Sequence, residues 1–195
     1  MKSEYNILQD SNKYFRFEGK IMVYTTFYKS PIGTILLASK DNKLIGSWIE
    51  GQKYYLGNLK ESTQEKGDEP ILLQTKIWLD RYFNGEQPHT FELDLAPNGS
   101  VFATNVWNIL RQIPYGEVIT YGDIAKKVAQ IAHKDTMSAQ AVGGAVGHNP
   151  ISIIIPCHRV VGTNGSMTGY AGGIEKKIQL LQHEGVNLKS LQTKR

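Results

Sequence analysis

Residues 151–161 read Ile-Ser-Ile-Ile-Ile-Pro-Cys-His-Arg-Val-Val. The apolar run at 151–155 predicts a buried strand, and Pro156 fixes the backbone where that strand ends. Cys157 therefore lies at a rigid corner. If a helical turn begins there, its N-terminal dipole and the two basic neighbours favour the thiolate over a free pKa of about 8.5. The thiol is a candidate nucleophile, although a lone cysteine is more often a small buried apolar residue.

The thiol needs a base, and His158 follows it directly in the chain. Adjacent residues on a helix do not face each other, so proton transfer between them needs a bridging water or a non-helical turn. The imidazole also needs a carboxylate to orient it. Glu184, at the end of the last amphipathic helix, is favoured over Asp123 and Glu117. The alternative interpretation of Glu184 is an ordinary surface carboxylate at a helix end.

The segment before this corner has very little side-chain volume. Residues 139–147 read Ala-Gln-Ala-Val-Gly-Gly-Ala-Val-Gly, and they predict a helix that begins near Ser138. A glycine inside a helix costs about 1 kcal/mol relative to alanine. Tight packing on a neighbouring helix or entry into a groove of DNA would offset that cost, and the residues alone favour neither explanation.

Two further helices are predicted upstream of this segment. Val101 to Ile113 carries an apolar stripe, and Thr120 is a plausible N-cap for a helix over Tyr121 to Val128, with Asp123 in the capping-box position. Helix, turn and helix in this order are compatible with a helix-turn-helix. Residues 98–195 hold 10 Lys or Arg and 5 Asp or Glu, which suits an anionic partner. Simple helix packing remains the alternative.

The first half of the chain predicts a small antiparallel sheet. Three β-branched and aromatic runs alternate with turns at Ser30–Gly33 and Asp41-Asn42. A loop, an amphipathic helix and a short strand are expected to follow. The predicted elements are strands over 22–28, 34–39 and 43–49, a loop over 59–68, a helix from Pro70 to Asn84 and a strand over 91–95.

Residues 96–100 combine breakers with the change in charge balance, so we place the domain boundary there. The predicted organisation is an N-terminal extension at 1–20, a first domain at 21–97 and a second domain at 98–195. One cysteine excludes internal disulfides and four-cysteine zinc sites. The chain has no apolar stretch long enough to cross a bilayer and no secretory signal at its start, which predicts a cytoplasmic protein without a membrane partner.

Residues 154–161, preceded by Ala141 to Pro150 and followed by Gly169 to Gly173 and His183-Glu184-Gly185, closely resemble the O6-alkylguanine-DNA alkyltransferases. The resemblance covers about 100 residues of the second half in collinear order and continues more loosely from the hairpin at 28–33. It implies an α+β fold, with a ribonuclease-H-like N-terminal α/β domain and a winged-helix-like C-terminal helical domain that binds DNA. It also implies direct reversal of DNA damage, with single-turnover transfer of an alkyl group from O6-alkylguanine to the protein's own cysteine.

Carried over residue by residue, the resemblance makes Cys157 the alkyl acceptor, His158 the water-mediated base and Glu184 the carboxylate that orients it. Asn149 matches the asparagine that joins the recognition helix to the active-site segment. Tyr121 matches the tyrosine that handles the phosphate of the flipped nucleotide and assists proton transfer.

The remaining implied contacts are with DNA and with the extruded base. The partner is double-stranded DNA containing O6-alkylguanine, with O4-alkylthymine as a further substrate candidate; no metal or organic cofactor is implied, and a monomer suffices. The DNA-binding residues are Thr120, Tyr121, Gln140, Ala141, Gly143 and Gly144, and the substrate pocket comprises Val146, Val160, Tyr170, Ala171 and Gly172.

The chain departs from the family pattern in the recognition helix. Gln140 stands where most of the family has the arginine that fills the gap left by the flipped base, so hydrogen bonding is kept but charge and reach are lost. An insertion of about five residues at 132–136 lengthens the turn before this helix. Two alternatives follow from the residues: a non-catalytic sensor of alkylation damage, favoured by Gln140, and a Cys-His acyl-transfer hydrolase, which no oxyanion-hole motif supports.

Overall fold

The computed structural model describes residues 22–57 and 59–193. The predicted N-terminal extension lies outside these residues. The first half contains strands β1 (Met22–Ser30), β2 (Gly33–Lys40), β3 (Lys43–Ile49) and β4 (Ser62–Glu65), followed by helix α1 (Pro70–Phe83). The second half contains α2 (Val101–Leu110), α3 (Tyr121–Ile131), α4 (Ala139–Gly147) and α5 (Ile174–His183). Two short strand pairs complete the second half: β5 (Ile119–Thr120) pairs with β6 (Val160–Val161), and β7 (Ser166–Met167) pairs with β8 (Gln192–Thr193).

The first four strands form one sheet in the order β3-β2-β1-β4. The predicted meander is confirmed, because β1 pairs antiparallel with β2 and β2 with β3. The expectation of a loop throughout 59–68 was wrong, since β4 pairs in parallel with β1. All four residues of β4 are exposed. An edge strand exposed on both faces needs only backbone hydrogen bonds, so its side chains carry no alternating pattern.

Helix α1 covers one face of this sheet. Pro70 begins the helix, where its missing N–H costs nothing, and Gly85 follows its end with φ of 85°. The buried side of α1 includes Leu72, Trp78 and Leu79, which pack in the same core as the inward-facing residues of β2 and β3. The helix thereby brings its last turn, with Tyr82, toward the second half of the chain.

The strand predicted at 91–95 is absent from this stretch. Thr90–Glu92 is a single 3-10 turn, capped reciprocally by His89 and Glu92, and Leu95 makes only an isolated bridge with Leu44. The side-chain cap supplies hydrogen bonds that a strand would have taken from a neighbour. The alternating apolar residues therefore mark a buried Leu93 and a partly buried Leu95 and not a sheet strand.

The strand predicted at 151–155 is also wrong, although the segment is fully buried. Ile151 bridges Ser47 of β3, after which the backbone turns, with Ile153 at φ of 72°. Asn149 satisfies this irregular backbone: its amide accepts from Ile151 N–H and donates to the carbonyls of Ile151 and Ile155. A short apolar run indicates burial but not conformation, since packing from all sides suits a loop equally well.

The two halves share one hydrophobic core. It contains Ile35 and Leu79 from the first half together with Trp107, Ile154 and Leu180 from the second. Backbone hydrogen bonds also join β3 to the segment before the cysteine, from Ser47 N–H to the Pro150 carbonyl and from Ser152 N–H to the Ser47 carbonyl. The sheet therefore supports the corner that carries Cys157. Across the described parts of the chain, none of the helices has the length and apolarity needed to span a membrane.

Candidate active site

Cys157 begins a one-turn 3-10 helix, Cys157–Arg159, directly after Pro156. The helical turn on which the expectation of a thiolate depended is therefore present. The side chain is 4% exposed. Its sulfur accepts a hydrogen bond from the Asn149 amide, with Nδ2 to Sγ at 3.2 Å. Asn149 thus both stabilises the preceding loop and contacts the thiol.

The expectation of a lowered thiol pKa was wrong. Burial raises the pKa of Cys157, because the thiolate loses hydration when it is enclosed. The Asn149 hydrogen bond, the charge of Lys177 and the backbone N–H groups of the 3-10 turn oppose this effect without cancelling it. The resting side chain is therefore a thiol at neutral pH, and its use as a nucleophile requires a base.

His158 and Glu184 are brought together as predicted. The imidazole Nε2 lies 2.7 Å from Glu184 Oε1, and both side chains are fully enclosed. Glu184 also receives two hydrogen bonds from Arg159: Nε to Oε2 at 2.8 Å and Nη2 to Oε1 at 2.9 Å. Asp123 is instead engaged with Thr120 and Lys126 on α3. Glu184 is thus the carboxylate that the fold places at the histidine.

The electrostatics of this cluster fix the histidine tautomer. Burial alone would raise the pKa of Glu184, but the interactions with His158 and Arg159 outweigh it and hold the carboxyl ionised well below its usual range. Burial lowers the pKa of His158, against the pull of Glu184, so the ring is neutral at neutral pH. An ionised carboxylate only accepts hydrogen bonds, so Nε2 carries the proton and Nδ1 holds the lone pair. Within the described chain, Nδ1 has no hydrogen-bond partner.

Two further side chains at this cluster were not predicted from the sequence. Tyr82 donates from its phenol to Glu184 Oε1 at 2.7 Å, although it lies 102 positions away in the chain. Lys177 is completely buried and donates from Nζ to the carbonyls of Val160 and Thr168. Its charge acts on Cys157, and burial lowers the pKa of Lys177 to about 8. The sequence did carry a signal for Lys177, because this lysine stands among the apolar residues that α5 buries.

Tyr121 begins α3 and reaches toward the loop after β7. Its phenol lies 3.4 Å from the Thr168 carbonyl and 3.3 Å from the Gly169 carbonyl. Burial, with a contribution from Cys157, raises the pKa of Tyr121 to about 12, so it remains a proton donor. Thr120 caps α3, accepting from Asp123 N–H and donating to the Asp123 carboxylate. The predicted capping position is confirmed.

The residues predicted to form the substrate pocket lie partly in the main core and partly in the loop between β7 and α5. Tyr170 is partly buried, and its phenol oxygen is buried with no hydrogen-bond partner within the described residues. Ala171 and Gly172 are partly exposed, and the Ala171 carbonyl accepts from Lys53 N–H. Val160 and Val146 are buried in the main core, which also contains Cys157.

The predicted recognition helix, α4, presents its smallest residues to solvent. Gln140, Ala141 and Gly144 are exposed and Gly143 is partly exposed. A Cβ atom at Gly144 would meet no atom within 4 Å. Internal packing therefore gives no reason for glycine at this position. The turn from α3 to α4 spans 132–138.

Comparisons with known proteins agree with this arrangement. Residues 23–97 match the ribonuclease-like domain of 6-O-methylguanine DNA methyltransferase, and residues 101–186 match its DNA binding domain. The methylated-DNA–protein-cysteine methyltransferase of Haemophilus influenzae is 39% identical over 165 residues, covering 84% of this chain and 87% of that protein. The Methanosarcina acetivorans protein of the same name is 42% identical over 164 residues, covering 84% and 99%.

Solved structures give the same result. The O6-methylguanine methyltransferase of Mycobacterium tuberculosis superposes with a TM-score of 0.69 at 38% identity, covering 84% of this chain and 93% of that one. M. tuberculosis OGT in complex with DNA has a TM-score of 0.68 at 36% identity, covering 84% and 92%.

A ribonuclease-like sheet, a helical DNA-binding unit and a buried cysteine beside a His–Glu pair define a DNA-binding methyltransferase of the direct-reversal type. The predicted fold class is confirmed. The chain belongs to the 6-O-methylguanine DNA methyltransferase family. The enzyme class and the repair function predicted from the sequence are therefore also confirmed.

Proposed function

We propose that this protein repairs duplex DNA containing O6-alkylguanine by moving the alkyl group irreversibly to Cys157. The observation that carries this proposal is the 2.7 Å pairing of His158 with Glu184 beside the only cysteine of the chain. A buried thiol with a raised pKa needs a neutral imidazole nearby, and His158 is one.

The reaction begins with loss of the thiol proton. We propose that a water carries it from Cys157 to Nδ1 of His158, the ring nitrogen that holds the lone pair. Glu184 stabilises the imidazolium that forms, because its carboxylate already accepts from Nε2. Asn149 donates to the sulfur and favours the developing thiolate.

Alkyl transfer forms one bond and breaks one bond. The thiolate attacks the alkyl carbon attached to O6 of guanine. The bond between that carbon and O6 breaks, and the electron pair of the broken bond stays on guanine. We propose that Tyr121 protonates the departing guanine and recovers a proton from the imidazolium through solvent. The thiol proton thus ends on guanine, and Cys157 becomes a thioether. A thioether has no easy route back to a thiol, so each polypeptide acts once.

The target base must leave the duplex to react. Cys157 is 4% exposed, so a stacked guanine cannot approach it in line. We propose that the extruded base enters between Tyr121 and the loop at 170–172. The Val160 carbonyl accepts from Lys177 and retains a second lone pair for the base. The enclosed Tyr170 phenol is a further hydrogen-bonding group for it.

Helix α4 is the proposed minor-groove element. Its exposed side offers backbone and small side chains at Ala141, Gly143 and Gly144, which permits close approach to the DNA. Gln140 lies at the exposed start of the helix. We propose that it fills the gap left by the extruded base with an uncharged amide.

Intact-mass spectrometry tests this function. After incubation with a duplex carrying O6-methylguanine, the protein should gain the mass of one methyl group, mapped by peptide analysis to Cys157. An unmodified duplex and the Cys157→Ser variant serve as matched controls and should give no adduct. Folded wild-type protein that binds the lesion duplex but keeps its original mass would reject alkyl transfer and favour a damage sensor.

We further propose that the protein acts as a monomer in the cytoplasm. One thiol accepts one alkyl group, so a single chain contains every group that the reaction uses. Light scattering of the free protein and of its complex with a short lesion duplex should give one protein chain in each. A second chain on a duplex long enough for only one would contradict this assignment.

A further inference from the structure

The carboxylate of Glu184 is contacted from the first half of the molecule. Tyr82 lies in the last turn of α1 and donates its phenol hydrogen to Oε1 at 2.7 Å. The tyrosine is 1% exposed. Burial and the neighbouring carboxylate raise the pKa of Tyr82 well above its usual 10, so the phenol stays protonated and remains a donor.

Three donors share the one oxygen to which Tyr82 binds. Oε1 of Glu184 accepts from Tyr82, from His158 Nε2 at 2.7 Å and from Arg159 Nη2 at 2.9 Å. The second oxygen accepts from Arg159 Nε at 2.8 Å and from Gly116 N–H at 3.3 Å. Hydrogen bonds to one acceptor compete for its negative charge, so each donor weakens the interaction of the carboxylate with the others.

The tyrosine ring is held in place independently of this hydrogen bond. It stacks on Trp78 at 5.6 Å and meets Phe83 edge-on at 5.1 Å between ring centroids. The Tyr82 carbonyl bonds His183 Nε2 at 2.7 Å, and Tyr115 packs on the other side with a centroid distance of 6.0 Å. The first half of the molecule therefore presents a fixed donor to the carboxylate.

We propose that Tyr82 is a positioning residue for the repair reaction: its phenol fixes Glu184 and reduces the negative charge that the carboxylate presents to His158. The imidazole thereby stays neutral at physiological pH, in the form that accepts the thiol proton. The inference rests on the proposed function in so far as His158 is the base. It assigns to the ribonuclease-like domain a direct effect on the chemistry of the other domain.

Other ionisable groups also act on this histidine and carboxylate. Arg159 belongs to the same turn, and Lys177 approaches from α5; both cations lower the pKa of His158. The remaining titratable groups facing the cluster are Cys157, Tyr115, Tyr170 and His183. Each stays in place when the Tyr82 phenol oxygen is removed, so the variant isolates one hydrogen bond.

The test is Tyr82→Phe in the full chain, which keeps the aromatic packing. Without the competing donor the carboxylate holds the imidazolium more strongly, so the pKa of His158 should rise by on the order of one unit. Nitrogen NMR of the ¹⁵N-histidine protein measures this shift without DNA. The acid limb of the single-turnover methyl-transfer rate should move to higher pH by the same amount, giving about tenfold slower transfer on that limb and little change at high pH.

Tyr115→Phe is the matched control. Its phenol belongs to the same aromatic cluster but donates to the His183 carbonyl at 3.1 Å and not to Glu184, so neither titration should move. Replacement of Tyr82 by 3-fluorotyrosine keeps the hydrogen bond but makes the phenol a stronger donor. The shift should then have the opposite sign, and this variant decides the question if Tyr82→Phe does not fold.

The outcomes separate the two proposals. If the wild type transfers methyl but the His158 titration is unchanged in both Tyr82 variants, the role proposed for Tyr82 is overturned. If the wild type transfers no methyl, the proposed function fails, while the NMR titration still tests the hydrogen-bond competition by itself.

Discussion

Replacement of Gly144 on α4 should make the protein more stable and its DNA binding weaker. The residue is exposed in a regular helix, and an added Cβ would have no atom within 4 Å. Its φ is not in the left-handed region, so an ordinary side chain fits the backbone. Neither strain nor a clash opposes the substitution within the described residues.

The expected gain in stability follows from helix propensity alone. Gly144→Ala and Gly144→Leu should each raise the free energy of unfolding by about 1 kcal/mol, because alanine and leucine have similar propensities and glycine is poorer. For a chain of this size that corresponds to roughly 2–4 °C in the melting temperature. Thermal and urea denaturation measure it directly.

Gly144→Ala and Gly144→Leu should have similar stabilities but different affinities for DNA. The leucine side chain projects from the surface proposed to enter the minor groove, whereas alanine adds one methyl group. Gly144→Leu should therefore lose at least about tenfold in affinity for an O6-methylguanine duplex, which is about 1.4 kcal/mol, and Gly144→Ala less. Fluorescence anisotropy at fixed salt gives both values. Wild-type affinity in a stably folded Gly144→Leu protein would refute α4 as the DNA-contacting helix.

Three further perturbations have defined outcomes. Gln140→Arg should tighten DNA binding and steepen its salt dependence by about one unit of slope, because a cation near the phosphates is gained; an unchanged slope would contradict a DNA contact there. Glu184→Gln should lower the free energy of unfolding by about 3–5 kcal/mol at neutral pH, because the Arg159 charge, 6% exposed, is left unpaired. The pKa of Glu184 is lower in the folded than in the unfolded protein, so its carboxylate stabilises the fold above the unfolded pKa and loses this effect on acidification. The free energy of unfolding, measured with urea, should therefore fall less at low pH in Glu184→Gln than in the wild type. Lys177 has a pKa lowered to about 8, so it binds fewer protons when folded than when unfolded between about pH 8 and 10.4. Its own contribution to stability rises with pH across that window, so the stability of the wild type relative to Lys177→Met should increase from about pH 8 to 10.4.

Much of the fold could be predicted because its signals are local. The turn at Asp41-Asn42, with both residues at positive φ, fixes the second hairpin, and Pro70 and Gly85 bound α1. Strand β4 and the turn at Thr90–Glu92 escaped prediction, because backbone pairing at an edge and a side-chain cap depend on what lies nearby.

The site divides in the same way. The Pro-Cys-His-Arg motif identifies Cys157 and His158, and the family resemblance points to Glu184. The ionisation state of the thiol was predicted in the wrong direction, since burial outweighs the local dipole and neighbouring cations. Tyr82 lies 102 residues from its carboxylate partner, so no spacing rule could have connected them.

The identity of the reactive side chains and the class of reaction could thus be read from local motifs and the family resemblance. Packing of the chain sets which nitrogen of His158 is free, how the charge of Glu184 is shared and whether the sulfur rests as a thiol. These properties depend on desolvation and on distances of a few ångströms between distant segments, and both arise only when the chain packs.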